Sequence, residues 1–294
     1  MKWPLSPAEV TGDAPLAPWT SVRVGGAAQW LVRPTTPGAL VQALAFVRDE
    51  GLPLTILGGG ANTLVGDLGV PGVTLKLPAG LFPEELDDTR LTLNAGSAIA
   101  RVVTLMTKHQ LVGAEFLAGI PGTLGGATAM NAGTKNGECM TVVDALELAT
   151  ADGLGWVSGL AYRYRHTELP AGAVVTRVRF QLRRGPLEAS REAMAADLGY
   201  RKRTQPLSQP NFGSVFTNPE GHHAGALIER VRLKGHRVGN ACISTLHANW
   251  IVNLGQATAA DVEALMHEAR RRVLEETGVT LTPEVKRVGR FERG

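Results

Sequence analysis

The chain has 294 residues, of which 44% are apolar and 19% charged, and its formal net charge is +3. This composition predicts a globular protein with a buried core and excludes a largely disordered chain. The small charge excess is scattered and lacks the basic stripe with interleaved aromatic residues that nucleic-acid binding needs, so a small anionic substrate is favoured.

The sequence also excludes several other classes of protein. No apolar run approaches the roughly 20 residues of a membrane-spanning helix, and residues 1–18 lack the basic start and apolar run of a secretory signal. The two cysteines, Cys139 and Cys242, form no Cys-x-x-Cys pair, and the histidines show no metal-ligand spacing. We therefore expect a cytoplasmic protein without membrane insertion, nucleic-acid partner or bound metal.

The first predicted element is a helix with Thr36 as its N-cap and Gly51 at its end. A short buried strand at 54–57 follows and runs directly into three glycines. The next predicted elements are strands at 73–77 and 91–94 and a helix at 98–109.

The second half of the chain begins with a glycine-rich stretch and ends with a long helix. Thr258 and Asp261 form a capping pair for that helix, and Gly278 ends it. The elements predicted between them are strands at 142–148 and 174–182, helices at 188–203 and 225–230, and strands near Cys242 and at 250–253.

Two glycine-rich segments are candidate ligand loops. The first, Leu57–Val65, matches a dinucleotide fingerprint poorly because Thr63 stands where the third glycine belongs, so it is either a phosphate-binding loop or an ordinary turn. The second, Gly119–Gly133, is so rich in glycine that it leaves little room for a regular element. Two such loops in one chain favour a single extended cofactor lying across both.

Three further positions are open to a structural or a functional interpretation. Ser214 follows a glycine without a Gly-x-Ser-x-Gly elbow, so it is either a turn residue or a proton donor, and hydrolase chemistry is not indicated. Glu284 is either a solvated carboxylate or a functional one. Tyr162–Thr167 is predicted as one strand with Arg163 and Arg165 on the same face, suited to a carboxylate or phosphate, or else simply solvated.

In order and spacing, these stretches resemble the UDP-N-acetylenolpyruvoylglucosamine reductases, flavoenzymes of bacterial peptidoglycan synthesis. The resemblance covers almost the whole chain, and the short span between Arg165 and Ser214 is similar to the family branch that lacks an inserted loop. The segments that carry it are 20–26, 58–65, 119–126 with 130–133, Tyr164-Arg165, 213–216, 233–235, His247-Ala248-Asn249 and 283–285.

The resemblance implies an α+β fold. It consists of an FAD-binding part of the vanillyl-alcohol-oxidase type, made of two small α+β subdomains, and a C-terminal α+β substrate-binding domain. We expect the first subdomain at 1–75, with the tail 278–294 returning to it, the second at 76–185 and the substrate-binding domain at 186–277.

The resemblance also implies non-covalent FAD, with NADPH as co-substrate. The residues that it assigns to the cofactor are Gly58, Gly59, Gly60, Ala61, Asn62, Thr63, Gly119, Ile120, Pro121, Gly122, Thr123, Gly125, Gly126, Asn131, Ala132 and Gly133.

The implied reaction reduces UDP-N-acetylglucosamine enolpyruvate to UDP-N-acetylmuramate, with hydride delivered from flavin N5. Arg165 and Glu284 match the groups that stabilise the enolate, and Ser214 matches the donor that protonates it. The residues that match substrate contacts are Tyr164, Asn218 and Lys234. A monomer is expected.

Two alternatives remain open from the sequence. One is another flavin-dependent oxidoreductase of the same fold, although oxidation of an alcohol would require a base that the serine does not provide. The other is a flavin- or nucleotide-binding protein without turnover.

Overall fold

The computed structural model describes residues 2–291, which form an α+β structure. The α-helices of this part of the chain are α1 Pro37–Asp49, α2 Ala100–Lys108, α3 Leu124–Ala129, α4 Leu187–Thr204, α5 Ala224–Arg230 and α6 Ala259–Thr277. The strands are β1 Val10–Pro15, β2 Ala27–Val32, β3 Leu54–Ile56, β4 Thr63–Val65, β5 Val70–Leu75, β6 Glu85–Asp87, β7 Arg90–Asn94, β8 Leu111–Val112, β9 Gly133–Thr134, β10 Gly137–Glu138, β11 Val143–Thr150, β12 Gly153–Val157, β13 Tyr162–Arg163, β14 His166–Thr167, β15 Val174–Gln181, β16 Arg183–Arg184, β17 Arg237–Val238, β18 Ala241–Ile243, β19 Ile251–Asn253 and β20 Lys286–Val288.

The chain divides into two units that interleave along the sequence. The first unit contains the residues up to Gly12, 30–59 and 72–200, and the second contains 13–29, 60–71 and the residues from 201 onward. The division into domains at 1–75, 76–185 and 186–277 stays a prediction.

The largest sheet of the described residues lies wholly in the first unit. Strands β12, β11, β15, β7 and β6 form a five-stranded antiparallel sheet in that order, and β1, β2, β5 and β3 form a four-stranded one. Alternation along β15 buries Val178 and Phe180 and turns Arg177 and Arg179 to the other face. The buried face packs with α2 and α3 in one hydrophobic core.

Helix α1 packs in a separate core of the same unit, next to residues of β2 and β5. Its predicted start is confirmed, since the Thr36 side chain accepts a hydrogen bond from the backbone N–H of Ala39 at 3.1 Å. Leu40, Leu44 and Val47 are buried, as their helical spacing predicts.

The second unit is built on α5, α6 and the small antiparallel sheet β17-β18-β19. The capping box of Thr258 and Asp261 is confirmed, and Gly278, with φ 70°, ends α6 in the left-handed conformation. Near the end of the described chain, β20 pairs in parallel with β4, so Lys286 lies opposite Thr63.

The expectation that 119–133 holds no regular element is wrong, because α3 lies within it. The glycines of this stretch allow close packing of a helix. A Cβ atom on Gly125 would lie 3.0 Å from the Cβ of Ala95, whose carbonyl accepts the N–H of Gly125 at 2.8 Å. Small residues therefore let the helix approach the end of β7.

No helix among residues 2–291 is long and apolar enough to cross a membrane.

Candidate active site

In the first unit, the two glycine-rich loops lie against each other. A Cβ atom on Gly59 would be 2.6 Å from the Cα of Gly122, and one on Gly58 would be 2.7 Å from Oγ1 of Thr123. Gly122 itself has φ 107°, a conformation that side chains other than hydrogen rarely allow. The two loops are about 60 residues apart in the sequence, where each is predicted as a candidate ligand loop, and the fold brings them into contact.

The joined loops present backbone donors. The N–H groups of Leu124 and Gly125 are used by the carbonyls of Ser97 and Ala95. Within residues 2–291, no backbone carbonyl accepts the N–H groups of Gly59, Gly122 or Thr123. Backbone N–H groups in a glycine-rich concavity suit an anion, so this cradle fits the pyrophosphate of a dinucleotide such as FAD.

A half-buried lysine lies beside this cradle. The ammonium group of Lys76 donates a hydrogen bond to the carbonyl of Gly58 at 2.6 Å. Burial, and then the charge of Arg33, lower the pKa of Lys76. Lys76 is not among the residues predicted from the sequence, although a lysine at the end of an apolar strand is a usable signal.

The rest of the first loop belongs to the second unit. Gly60 has φ 63°, and a Cβ atom there would collide with the carbonyl of Trp19. The Asn62 side chain donates to the carbonyl of Glu284 at 3.0 Å, and the Asn62 carbonyl accepts the N–H of Lys286 at 3.0 Å. Within this unit, the loop is thus tied to the segment that carries Glu284.

The side chain of Asn131, in the second loop, forms hydrogen bonds within the protein. Its side chain is fully buried and donates to the Glu138 carboxylate at 2.8 Å and to the Arg163 carbonyl at 3.1 Å. Its Oδ1 accepts the N–H of Met140 at 3.0 Å. The amide is therefore used inside the protein, and the backbone N–H of Asn131 donates to the Thr128 carbonyl at 3.1 Å.

The expectation of one strand at Tyr162–Thr167 is wrong, because the segment is a hairpin. Strands β13 and β14 pair antiparallel, and Tyr164 and Arg165 form the two-residue turn between them. Arg165 has φ 59°, and its guanidinium group lies 4.6 Å from the centre of the Tyr164 ring. Arg163 and Arg165 therefore do not share a strand face, because a tight turn separates them.

The base of this hairpin is anchored to the second glycine-rich loop. The carbonyl of Arg163 accepts the Asn131 side-chain bond, and the hydroxyl of Thr167 donates to the Thr128 carbonyl at 2.5 Å. Arg165 is half-buried and Tyr164 is exposed. The turn thus carries the Arg165 guanidinium group at the tip of a hairpin whose base is hydrogen-bonded to the second glycine-rich loop.

In the second unit, the backbone brings the Ser214 and Glu284 segments together. The N–H of Glu284 donates to the carbonyl of Val215 at 2.8 Å, and the N–H of Thr217 donates to the carbonyl of Thr282 at 3.0 Å. Ser214 and Glu284 are both half-buried. Two residues that are far apart in sequence therefore lie on adjacent segments of one unit.

Asn218 and Lys234 lie near the two ends of α5. Oδ1 of Asn218 accepts the N–H of Ala224 at 3.0 Å, and the ammonium of Lys234 lies 2.8 Å from the Glu229 carboxylate. His247 is half-buried nearby, and burial, followed by the charge of Lys234, lowers its pKa, so the imidazole is neutral near pH 7.

Comparisons with known proteins identify the class and then the family. An FAD binding domain model matches residues 28–157. A model described as the UDP-N-acetylenolpyruvoylglucosamine reductase C-terminal domain matches 205–288. The chain is an FAD-dependent oxidoreductase.

Similar relatives agree with both models. A UDP-N-acetylenolpyruvoylglucosamine reductase of Myxococcus xanthus is 65% identical over 96% of this chain and 93% of its own length. One from Bacillus velezensis is 37% identical over 96% of this chain and 94% of its own length. The crystal structure of the Thermus caldophilus reductase superposes with a TM-score of 0.82 at 37% identity, covering 95% of this chain and 98% of that one.

The chain belongs to the UDP-N-acetylenolpyruvoylglucosamine reductase family. The predicted α+β fold, with an FAD-binding part followed by a C-terminal domain, is confirmed.

Proposed function

We propose that this protein reduces UDP-N-acetylglucosamine enolpyruvate to UDP-N-acetylmuramate with NADPH, as a cytoplasmic monomer in peptidoglycan synthesis. The observation that carries the proposal is the hydrogen bond between Glu284 N–H and the Val215 carbonyl, because it joins the backbone of Glu284 to the residue that follows Ser214 in the same unit. Family membership supplies the substrate class.

The glycine cradle supports FAD as the cofactor. The chemistry that bound FAD supplies is the transfer of a hydride from NADPH to the enol ether. Gly58, Gly59, Gly122 and Thr123 would hold its pyrophosphate through backbone N–H groups, and Lys76 would add a positive charge beside them. The other residues proposed for cofactor binding lie in the same loops: Gly60, Ala61, Asn62, Thr63, Gly119, Ile120, Pro121, Gly125, Gly126, Asn131, Ala132 and Gly133.

Arg165 and Glu284 would stabilise the charge that hydride addition places on the substrate. Adding a hydride to an enolpyruvyl group moves negative charge onto the carboxylate end as an enolate. Arg165 provides a permanent cation with a planar fork that matches a carboxylate. Glu284, when protonated, donates a hydrogen bond to the same developing charge.

Ser214 would donate the proton that completes the reaction. The enolate needs a proton at its α-carbon. Because a serine hydroxyl is a weak acid, fast proton transfer depends on the position of the hydroxyl rather than on its acidity. The sharp turn at Gly213, with φ 79°, and the bonds to the Glu284 segment give Ser214 such a fixed position.

Tyr164, Asn218 and Lys234 would bind the nucleotide part of the substrate. Lys234 carries a charge that suits a diphosphate, and its ammonium group pairs with the carboxylate of Glu229 in α5 at 2.8 Å. The mildly basic net charge of +3 is in keeping with an anionic substrate.

An anaerobic absorbance experiment tests the proposal. The purified protein, supplied with FAD, should bleach on addition of NADPH and regain its yellow band when UDP-N-acetylglucosamine enolpyruvate is added. Reoxidation only by oxygen would favour a different oxidoreductase of the same fold. Failure of the folded protein to bind FAD at all would contradict the proposal.

A further inference from the structure

The motif His247-Ala248-Asn249 contains a buried amide that bonds to residues 214–217, here called the serine segment. Asn249 is 4% exposed. Its Oδ1 accepts the N–H of Phe216 at 3.0 Å, and its Nδ2 donates to the carbonyl of the same residue at 2.8 Å. One side chain therefore satisfies both backbone groups of Phe216, as a neighbouring strand would.

The backbone of Asn249 adds a third bond to this segment. Its carbonyl accepts the N–H of Val215 at 2.9 Å, while the carbonyl of Val215 accepts the N–H of Glu284. The two residues that follow Ser214 are thus held between Asn249 on one side and the Glu284 segment on the other. A shift of Asn249 would move both Ser214 and Glu284.

Asn249 is itself fixed by its neighbours. Its N–H donates to Nδ1 of His247 at 3.2 Å, and the N–H of Trp250 donates to the His247 carbonyl at 3.1 Å. The amide cannot turn over, since a flip would set its NH₂ against the Phe216 N–H and its oxygen against the Phe216 carbonyl.

From this network we propose that Asn249 is a positioning residue, which holds Ser214 and Glu284 in register for protonation of the enolate. This inference deepens the proposed function and rests on it. The physical basis is distance, because a weak acid donates a proton fast only from a fixed position, and a misplacement of about 1 Å can cost about 100-fold in rate.

The test separates the two halves of the catalytic cycle in stopped-flow experiments on the FAD-loaded protein. Asn249→Ala should slow reoxidation of the reduced flavin by UDP-N-acetylglucosamine enolpyruvate by about 100-fold. Reduction by NADPH does not use Ser214, so its rate should remain near that of the wild type. A merely structural defect would slow both steps together.

The chain offers a matched control in Asn253. This asparagine is 5% exposed, and its side chain donates to the Val22 carbonyl at 2.9 Å and accepts the N–H of Gly255 at 2.8 Å. Its backbone N–H donates to the Pro210 carbonyl at 2.9 Å, and within residues 2–291 its side chain makes no hydrogen bond to residues 214–217. Asn253→Ala should lower the melting temperature as Asn249→Ala does and leave the ratio of the two rates unchanged.

A second variant covers a failure of Asn249→Ala to fold. Asn249→Gln keeps a neutral amide with both the acceptor for the Phe216 N–H and the donor to the Phe216 carbonyl, but its extra methylene displaces them, so reoxidation should slow by a smaller factor. Equal slowing of both steps, or the same pattern in Asn253→Ala, would overturn the inference.

The same experiment on Ser214→Ala distinguishes the inference from the proposed function. If Ser214→Ala slows reoxidation and the Asn249 variants do not, the positioning role is wrong and the proposed function stands. If Ser214→Ala reoxidises as fast as the wild type, the proton-donor role fails and Asn249 has no donor to position.

Discussion

The Arg165 hairpin and the Ser214 segment present their functional groups in different ways. Arg165 stands on a two-residue turn whose base is anchored through the carbonyl of Arg163 and the hydroxyl of Thr167. Ser214 precedes two buried residues whose backbone is bonded on both sides. A long charged side chain tolerates a support with some freedom, because Coulomb attraction varies slowly with distance, whereas a proton donor does not.

The largest effect should come from the donor itself. Ser214→Ala should slow flavin reoxidation by about 10²–10⁴-fold, the usual contribution of a positioned acid, with NADPH reduction unaffected. Stopped-flow absorbance measures both steps. Thr217→Ala is the control, since it removes another half-buried hydroxyl of the same segment, and an equal loss in that variant would contradict the assignment.

The cation on the hairpin should come next. Arg165→Lys keeps the charge but loses the planar fork, so reoxidation should slow by about 100-fold. Arg163→Lys is the matched control on the same hairpin. Arg163 is exposed, and its guanidinium group lies 3.2 Å from the carboxylate of Glu168, which is also exposed. Similar kinetics for the two variants would mean that the hairpin carries no specific cation.

A smaller effect is expected at the glycine cradle. Gly59→Ala forces the backbone of Gly122 away from a contact of 2.6 Å, and such overpacking costs about 1–3 kcal/mol, so FAD should bind about tenfold more weakly. Fluorescence titration measures the affinity. Gly155→Ala, where an added Cβ meets nothing within 4 Å, should bind FAD as the wild type does.

The smallest effect should come from the asparagine beneath the hairpin. Asn131→Ala should lower the free energy of unfolding by about 1–3 kcal/mol by leaving buried partners unsatisfied. FAD affinity should persist, because the amide is used inside the protein. Chemical denaturation measures the free energy of unfolding, and FAD titration measures the affinity. A loss of FAD affinity without a loss of stability would mean that the Asn131 amide contacts the cofactor.

Periodicity and capping signals made the fold partly predictable. Helices α1 and α6 follow from Thr36, from the capping box at Thr258 and from apolar spacing, which are local properties. Helix α3 escaped prediction because its glycines are selected by contact with Ala95, which is distant in sequence. The hairpin at 162–167 escaped because a left-handed arginine has no signal in local propensity.

The candidate site shows the same limit. Residue types and order were enough to suggest Ser214, Arg165 and Glu284 once the family resemblance was recognised. The residues that hold these groups in place could not be predicted from the sequence, since the bonds of Asn249 to Phe216 and of Lys76 to Gly58 depend on tertiary placement. Sequence patterns therefore indicate the reacting groups more readily than they indicate the residues that hold those groups in place.

The parallel pairing of β20 with β4 has a consequence for synthesis of the chain. Asn62 and its partner Glu284 are 222 positions apart, so the first glycine loop lacks its neighbouring strand until nearly all of the chain has left the ribosome. At about 5–20 residues per second, that delay lasts about 10–45 seconds. Throughout this interval Thr63–Val65 has no β20 to pair with, so this part of the first glycine-rich loop completes its folding at the end of translation.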